Sequence, residues 1–118
     1  MKRFLFILRK PAHSGAYVQE MLDVILTTAA FEQSVSLLLL DDAVFHLKKA
    51  QSPDLFGRKD TASVFKALAF YDVNDVYVET ESLEERGINM NDLAFNTQTL
   101  YRKDISDFIS SFQVVFPG

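Results

Sequence analysis

No cysteine occurs anywhere in the 118 residues, so thiolate, persulfide and disulfide chemistry are closed to this chain. Glycine and proline are scarce, at four and three, which argues against a disordered or low-complexity polypeptide. The lone Gly15 beside the first candidate strand is too little for a glycine-rich phosphate cradle. Positive charge is also in deficit: 12 Lys and Arg stand against 16 Asp and Glu, a net charge of −4. Neutralising a nucleic-acid backbone takes clustered basic residues, whereas Lys2, Arg3, Arg9 and Lys10 merely flank a short apolar run. Direct nucleic-acid contact is therefore not expected. Nor does any apolar stretch approach the roughly 20 residues that span a bilayer. Phe4 to Leu8 falls short of the roughly 7–15 apolar residues of a signal peptide, and Arg9-Lys10 closes it. A soluble protein of the cytoplasm is the expectation.

What is present suffices for a core. Hydrophobic residues make up 48% of the chain and eleven are phenylalanine, large apolar side chains without a polar tip. At this length the fold buries roughly two thirds of the surface that the unfolded chain exposes. No repeat, linker or compositional break divides it, so residues 1–118 are expected to form a single domain.

Hydrophobic periodicity orders the elements. Phe4 to Leu8 is a continuous apolar run bounded by charge, which suits a strand buried on both faces. After Pro11 to Gly15, apolar residues at Val18, Met21, Leu22, Ile25, Leu26 and Ala29 recur every three or four positions and mark one face of a helix, with Ser14 in capping range. Val35 to Leu40 is a second buried strand, followed by Asp41-Asp42 and a short helix or turn from Ala43 to Lys49. Val64, Ala67, Leu68 and Tyr71 mark another helix, with Asp60 or Thr61 as its cap, before the strand Val76-Tyr-Val78. Ser82 to Gly87 predicts one or two helical turns, with Glu85 at the capping-box offset from Ser82 and glycine at the end. A fourth, edge-like strand is predicted at Phe95 to Thr97, a helical stripe at Ile105, Phe108, Ile109 and Phe112, and a closing strand at Gln113 to Phe116. Strands alternating with amphipathic helices predict an α/β, flavodoxin-like three-layer domain with a mostly parallel sheet of about five strands.

In such a sheet ligands gather at the carboxyl ends of the strands, here the loops around Pro11 to Gly15, Asp41-Asp42 and Glu79 to Ser82. His13 supplies a proton carrier near neutral pH, yet one imidazole in a Pro-Gly loop defines no reaction. His46 stands at helical spacing from Asp42 and, with Asp41, forms the nearest approach to a metal set; a helix-start carboxylate pair beside a partly buried imidazole accounts for the same pattern. A phosphoacceptor receiver would place its acidic pair after the first strand, where this chain has Arg9-Lys10, and its acceptor aspartate after the third, where it has Glu79. The run Glu79, Glu81, Glu84 and Glu85 is most simply a solvated helix start. Phe56, Phe65, Phe70, Tyr71 and Tyr77 add aromatic area beyond what the core obviously needs, as in a chain with a partner.

Taken in order, Ala43-Val-Phe-His-Leu47, Ser52-Pro-Asp54, Arg58-Lys-Asp60, Phe65-Lys-Ala-Leu-Ala-Phe-Tyr-Asp72, Val76-Tyr-Val78 and Ser82-Leu-Glu-Glu-Arg-Gly87 resemble the TusC/DsrF branch of the DsrE/DsrF-like sulfur-relay proteins. Pro11-x-His13 and Asp23 fit as well, and the likeness runs from Met1 to Val114-Val-Phe116. The resemblance implies a subunit of a heterohexamer with TusB-like and TusD-like partners. That particle passes persulfide sulfur to a TusE-like acceptor and finally to 2-thiouridine at the tRNA wobble position. A DsrE, DsrF and DsrH complex of sulfur oxidation is the related alternative, and a stand-alone small ligand-binding or enzyme domain is the competing class.

The resemblance also implies a site. In the sulfur-carrying subunit the reactive cysteine ends the strand that leads into the Arg-Gly-capped turn, and that place falls on Glu79. A carboxylate can neither attack a sulfane sulfur nor hold it as a persulfide. The expected role is thus structural, with no catalytic residue, cofactor or metal and no membrane contact.

Overall fold

The computed structural model describes residues 2–10, 16–31, 34–47, 73, 75–93 and 97–117. Strand β1 (Arg3–Leu8) leads to helix α1 (Ala16–Ala30) and strand β2 (Ser34–Leu39), after which Asp41–Leu47 forms a 3-10 helix. Strand β3 (Asp75–Glu79) runs directly into helix α2 (Thr80–Glu85). Strand β4 (Gln98–Leu100), helix α3 (Ile105–Ser110) and strand β5 (Val114–Phe116) complete the described elements. The strands pair in the order β4-β3-β2-β1-β5, and every pairing is parallel. This is the α/β architecture expected from alternating strands and helices.

The period of two along β1 divides its side chains between two cores. Phe6 and Leu8 join Leu37, Leu39 and Val78 under Leu22 and Ile25 of α1. Leu5, Ile7 and Leu38 face the other way, onto Ile105 of α3 and Phe112 beyond it. The sheet is therefore covered on both faces, and each fully buried Leu, Ile or Phe contributes about 1.5–3 kcal/mol through apolar surface removed from water. Phe6 stacks on Phe116 at 4.5 Å between ring centroids, which ties the edge strand β5 to β1. Tyr77 packs on Phe108 at 4.6 Å; of the aromatic residues suspected of facing a partner, the other four lie outside the described residues.

Two local expectations shift. The fourth described strand lies at Gln98–Leu100, fixed by its ladder to β3 with Glu79 opposite Leu100; of the predicted Phe95 to Thr97 only Thr97 is described, and it precedes the strand. Ser82 is not an N-cap either: α2 begins at Thr80, and its flanking residue Glu79 is extended with no side-chain capping bond. The predicted helix of residues 64–71 with its Asp60 or Thr61 cap, the Ser14 cap and the Phe95-Asn96 segment lie outside the described residues. Gly87 does end the α2 turn, at φ +64°, where its N–H donates to Glu84 O at 3.1 Å and Ile88 N–H donates to Leu83 O at 3.0 Å. A Cβ at Gly87 would meet nothing within 4 Å, so only the left-handed backbone resists substitution. Gly87→Ala is expected to cost about 1 kcal/mol, measured as a shift in the urea unfolding midpoint.

Candidate functional site

All strands being parallel, their carboxyl ends share one edge, and four side chains converge there: Arg9 after β1, Asp41 after β2, Glu79 at the end of β3 and Arg102 after β4. They line a cleft of about 720 Å³, whose remaining wall comes from Leu40, Glu85 and the α3 residues Ile105, Ser106, Ile109 and Ser110.

Glu79 lies at the centre of the bonding. Its side chain is 6% exposed, a position that an ionised carboxylate occupies only with partners. Arg102 supplies two of them: Nη2 donates to Oε1 at 2.9 Å and Nε to Oε2 at 3.2 Å, a fork across both oxygens. Ser82 Oγ donates to Oε1 at 2.5 Å and accepts from the backbone N–H of Asp41 at 2.9 Å. One hydroxyl thus links β2, β3 and α2. Asp41 presents that N–H from a left-handed backbone, φ 52°, a conformation that Asp tolerates better than most residues.

Further pairs hold the rim. Arg102 Nη2 also reaches Glu85 Oε1 at 3.1 Å, and the Arg102 backbone N–H donates to Glu81 Oε1 at 2.8 Å. Arg86 Nε donates to Asp42 Oδ1 at 2.9 Å and Nη1 to Ser82 O at 3.3 Å. Arg9 Nη1 meets Asp41 Oδ2 at 3.3 Å with both side chains about half exposed, a pair worth about 0–1 kcal/mol.

Burial alone would raise the Glu79 pKa, but the hydrogen bonds from Arg102 and Ser82 and the charges of Arg102 and Arg9 outweigh it and hold the carboxyl below its ordinary value. The same contact to Glu79, followed by that to Glu85, raises the Arg102 guanidinium. The linkage has a definite sign. With a folded value below the unfolded one, the Glu79 contribution to stability is complete above about pH 4.5 and is lost as pH falls through the lower folded value. Glu79→Gln is expected to flatten the acid side of the stability profile below that pH, measured by urea unfolding across an acid pH series. An unchanged profile would mean that Glu79 is not ionised in the native state.

The shifts of both groups share a source, the bonding of Glu79 to Arg102. The expected solvated glutamate run is thus corrected at its first member: Glu79 is buried, while Glu84 and Glu85 are exposed and Glu81 is half-buried. Asp42 is engaged by Arg86. His13 lies outside the described residues, as does the side chain of His46, whose backbone sits in the 3-10 helix. Among the described residues no three His, Asp or Glu side chains gather as a metal set, and no helix is long and apolar enough to cross a membrane.

The DsrE/DsrF-like family model matches residues 2–116, nearly the whole chain. The chain belongs to the DsrE/DsrF-like family. It is 38% identical to the intracellular sulfur oxidation protein DsrF of Allochromatium vinosum over 79% of this chain and 68% of that one. A TusC homolog of Pseudomonas aeruginosa is 34% identical over 94% of this chain and 93% of its own, and TusC of Shigella flexneri is 35% identical over 75% of each. Among solved structures, the YchN protein of Escherichia coli superposes with a TM-score of 0.85 at 16% identity over the full length of both chains. A Methanobacterium thermoautotrophicum protein superposes with a TM-score of 0.74 at 12% identity, again over both full lengths. At those identities the superpositions speak for the fold alone, which they share with this member of the family.

Sequence reasoning placed Glu79, Asp41 and Asp42 at the functional edge and missed Arg102 and the linking role of Ser82. Arg102 stands 23 positions from Glu79, and only the β3–β4 pairing brings it within reach. The one sequence signal was a basic residue just past a candidate edge strand.

Proposed function

We propose that this chain is a non-catalytic structural subunit of a TusBCD-type sulfur-relay complex, supporting persulfide transfer for wobble 2-thiouridine synthesis in tRNA. One observation carries the proposal. At the end of β3, where the family resemblance puts the reactive cysteine, stands Glu79, its carboxylate engaged by Arg102 and Ser82, in a chain with no cysteine. Persulfide relay needs a thiolate that attacks sulfane sulfur and a sulfur atom that stores it. An oxygen side chain locked in a fork with arginine provides neither. The sulfur is therefore carried by a partner, a TusD-like subunit, with a TusB-like subunit completing the particle and a TusE-like acceptor reached through it, all in the cytoplasm.

Co-expression with the products of neighbouring small reading frames tests this. One stable particle is expected, with persulfide label on a partner chain; a well-behaved monomer indifferent to those partners would contradict it. The 38% identity to DsrF favours a second reading, a DsrF-type subunit in a sulfur-oxidation complex. Deletion of the chain distinguishes the two: the first predicts loss of 2-thiouridine from tRNA, the second intact 2-thiouridine with impaired sulfur oxidation.

A further inference from the structure

The sheet edge at β4 is ordered with little apolar burial. Gln98 and Thr99 are exposed, and Leu100 is half-buried against the core of Ile105 and Phe112. Tyr101 and the 3-10 turn Arg102–Asp104 that follow are exposed throughout, and burial resumes only at Ile105. Thr97 Oγ1, just before the strand, is buried with no hydrogen-bond partner among the described residues, a cost that opening to water relieves. β4 is also paired on one side alone, to β3. Fixing the backbone costs conformational entropy at every residue, so residues 97–104 depend on polar bonds where they lack burial.

The side-chain bonds that hold this segment converge on Arg102. Its guanidinium forks onto Glu79 at the end of β3 and reaches Glu85 of α2, and its backbone N–H donates to Glu81 of α2. We infer that residues 97–104 form a strap that opens as a unit while the rest of the sheet stays folded, with Arg102 as its latch. Segments with few buried apolar contacts occupy the low end of local stability. Lifting the strap bares the outer edge of β3 and withdraws the Arg102 wall from the strand-end cleft, so that Glu79, buried while the latch is closed, meets solvent. The strap governs access to Glu79 whether or not the proposed sulfur-relay role holds.

Hydrogen exchange of the full chain, read amide by amide across a urea series, tests it, because local opening exposes little surface and responds weakly to urea whereas global unfolding responds strongly. The protected amides of β4 are expected to exchange at least about 100-fold faster than those of β1 and β2, with little urea dependence. Arg102→Lys keeps the charge but loses the fork, and should speed the β4 amides about tenfold further. Glu81→Ala removes only the exposed tie to the Arg102 N–H, leaves Glu79 bonded, and should speed them about threefold. Both increases are read relative to the amides of β5, the opposite edge strand, which the latch does not touch. β4 exchange with the urea dependence of β1 and β2, a β4 rate unmoved in either variant, or an equal acceleration of β5 would overturn the inference.

Discussion

Glu79→Ala is expected to lower stability by about 2–4 kcal/mol, because it removes charge-assisted hydrogen bonds inside a nearly closed site. The loss spreads beyond one residue. Ser82 Oγ, itself fully buried, loses the acceptor for its proton, and the links from β3 to β4 through Arg102 and to β2 through Asp41 both weaken. Arg102→Ala destabilises in the same direction and lets burial raise the Glu79 pKa with only Ser82 and the more distant Arg9 opposing it. Combining Glu79→Ala with Arg102→Ala should cost less than the sum of the two, since the pair acts as a unit. Urea unfolding of the three variants measures this, and full additivity would contradict the bonding described.

The core residue beneath that edge carries a larger effect. Phe6→Ala is expected to cost about 3–5 kcal/mol, from lost apolar transfer and the cavity left behind. Phe6 is 0% exposed in the interior strand β1, paired with Leu37 on one side and Phe116 on the other. Its ring stacks within 2° of parallel on Phe116. Against a total domain stability of roughly 5–15 kcal/mol, such a loss should leave much of the chain unfolded or aggregated at physiological temperature. Thermal unfolding reads it directly; a melting temperature within a few degrees of the parent would show that the two cores share less load than their packing indicates.

Much of this was legible beforehand. The apolar runs of β1 and β2 and the three-and-four spacing at Leu22 and Ile25 announced themselves because burial on both faces leaves no room for polar residues. The stripe of Ile105, Phe108, Ile109 and Phe112 likewise became one packed surface. What stayed hidden depended on distant partners. β4 is mostly exposed, so no hydrophobic pattern marks it, and pairing with β3 alone fixes its place. The Ser82-x-x-Glu85 pattern satisfied a local rule for helix starts, yet β3 passes straight into α2 and the serine is used across the sheet edge. Glu79 looked like the first of several solvated glutamates because nothing local distinguishes it from Glu81 or Glu84. Its burial follows from an arginine supplied by the next strand's end, a juxtaposition that topology creates.

That oxygen anchor is the centre of the functional proposal. Mass spectrometry of the co-purified particle, after loading with a persulfide donor and non-reducing separation of its chains, tests it most directly. A mass increase of one sulfur atom on a partner subunit, and none on this chain, is the predicted result. A covalently retained sulfur atom on this chain, or sulfur transfer catalysed by it in isolation, would contradict the account.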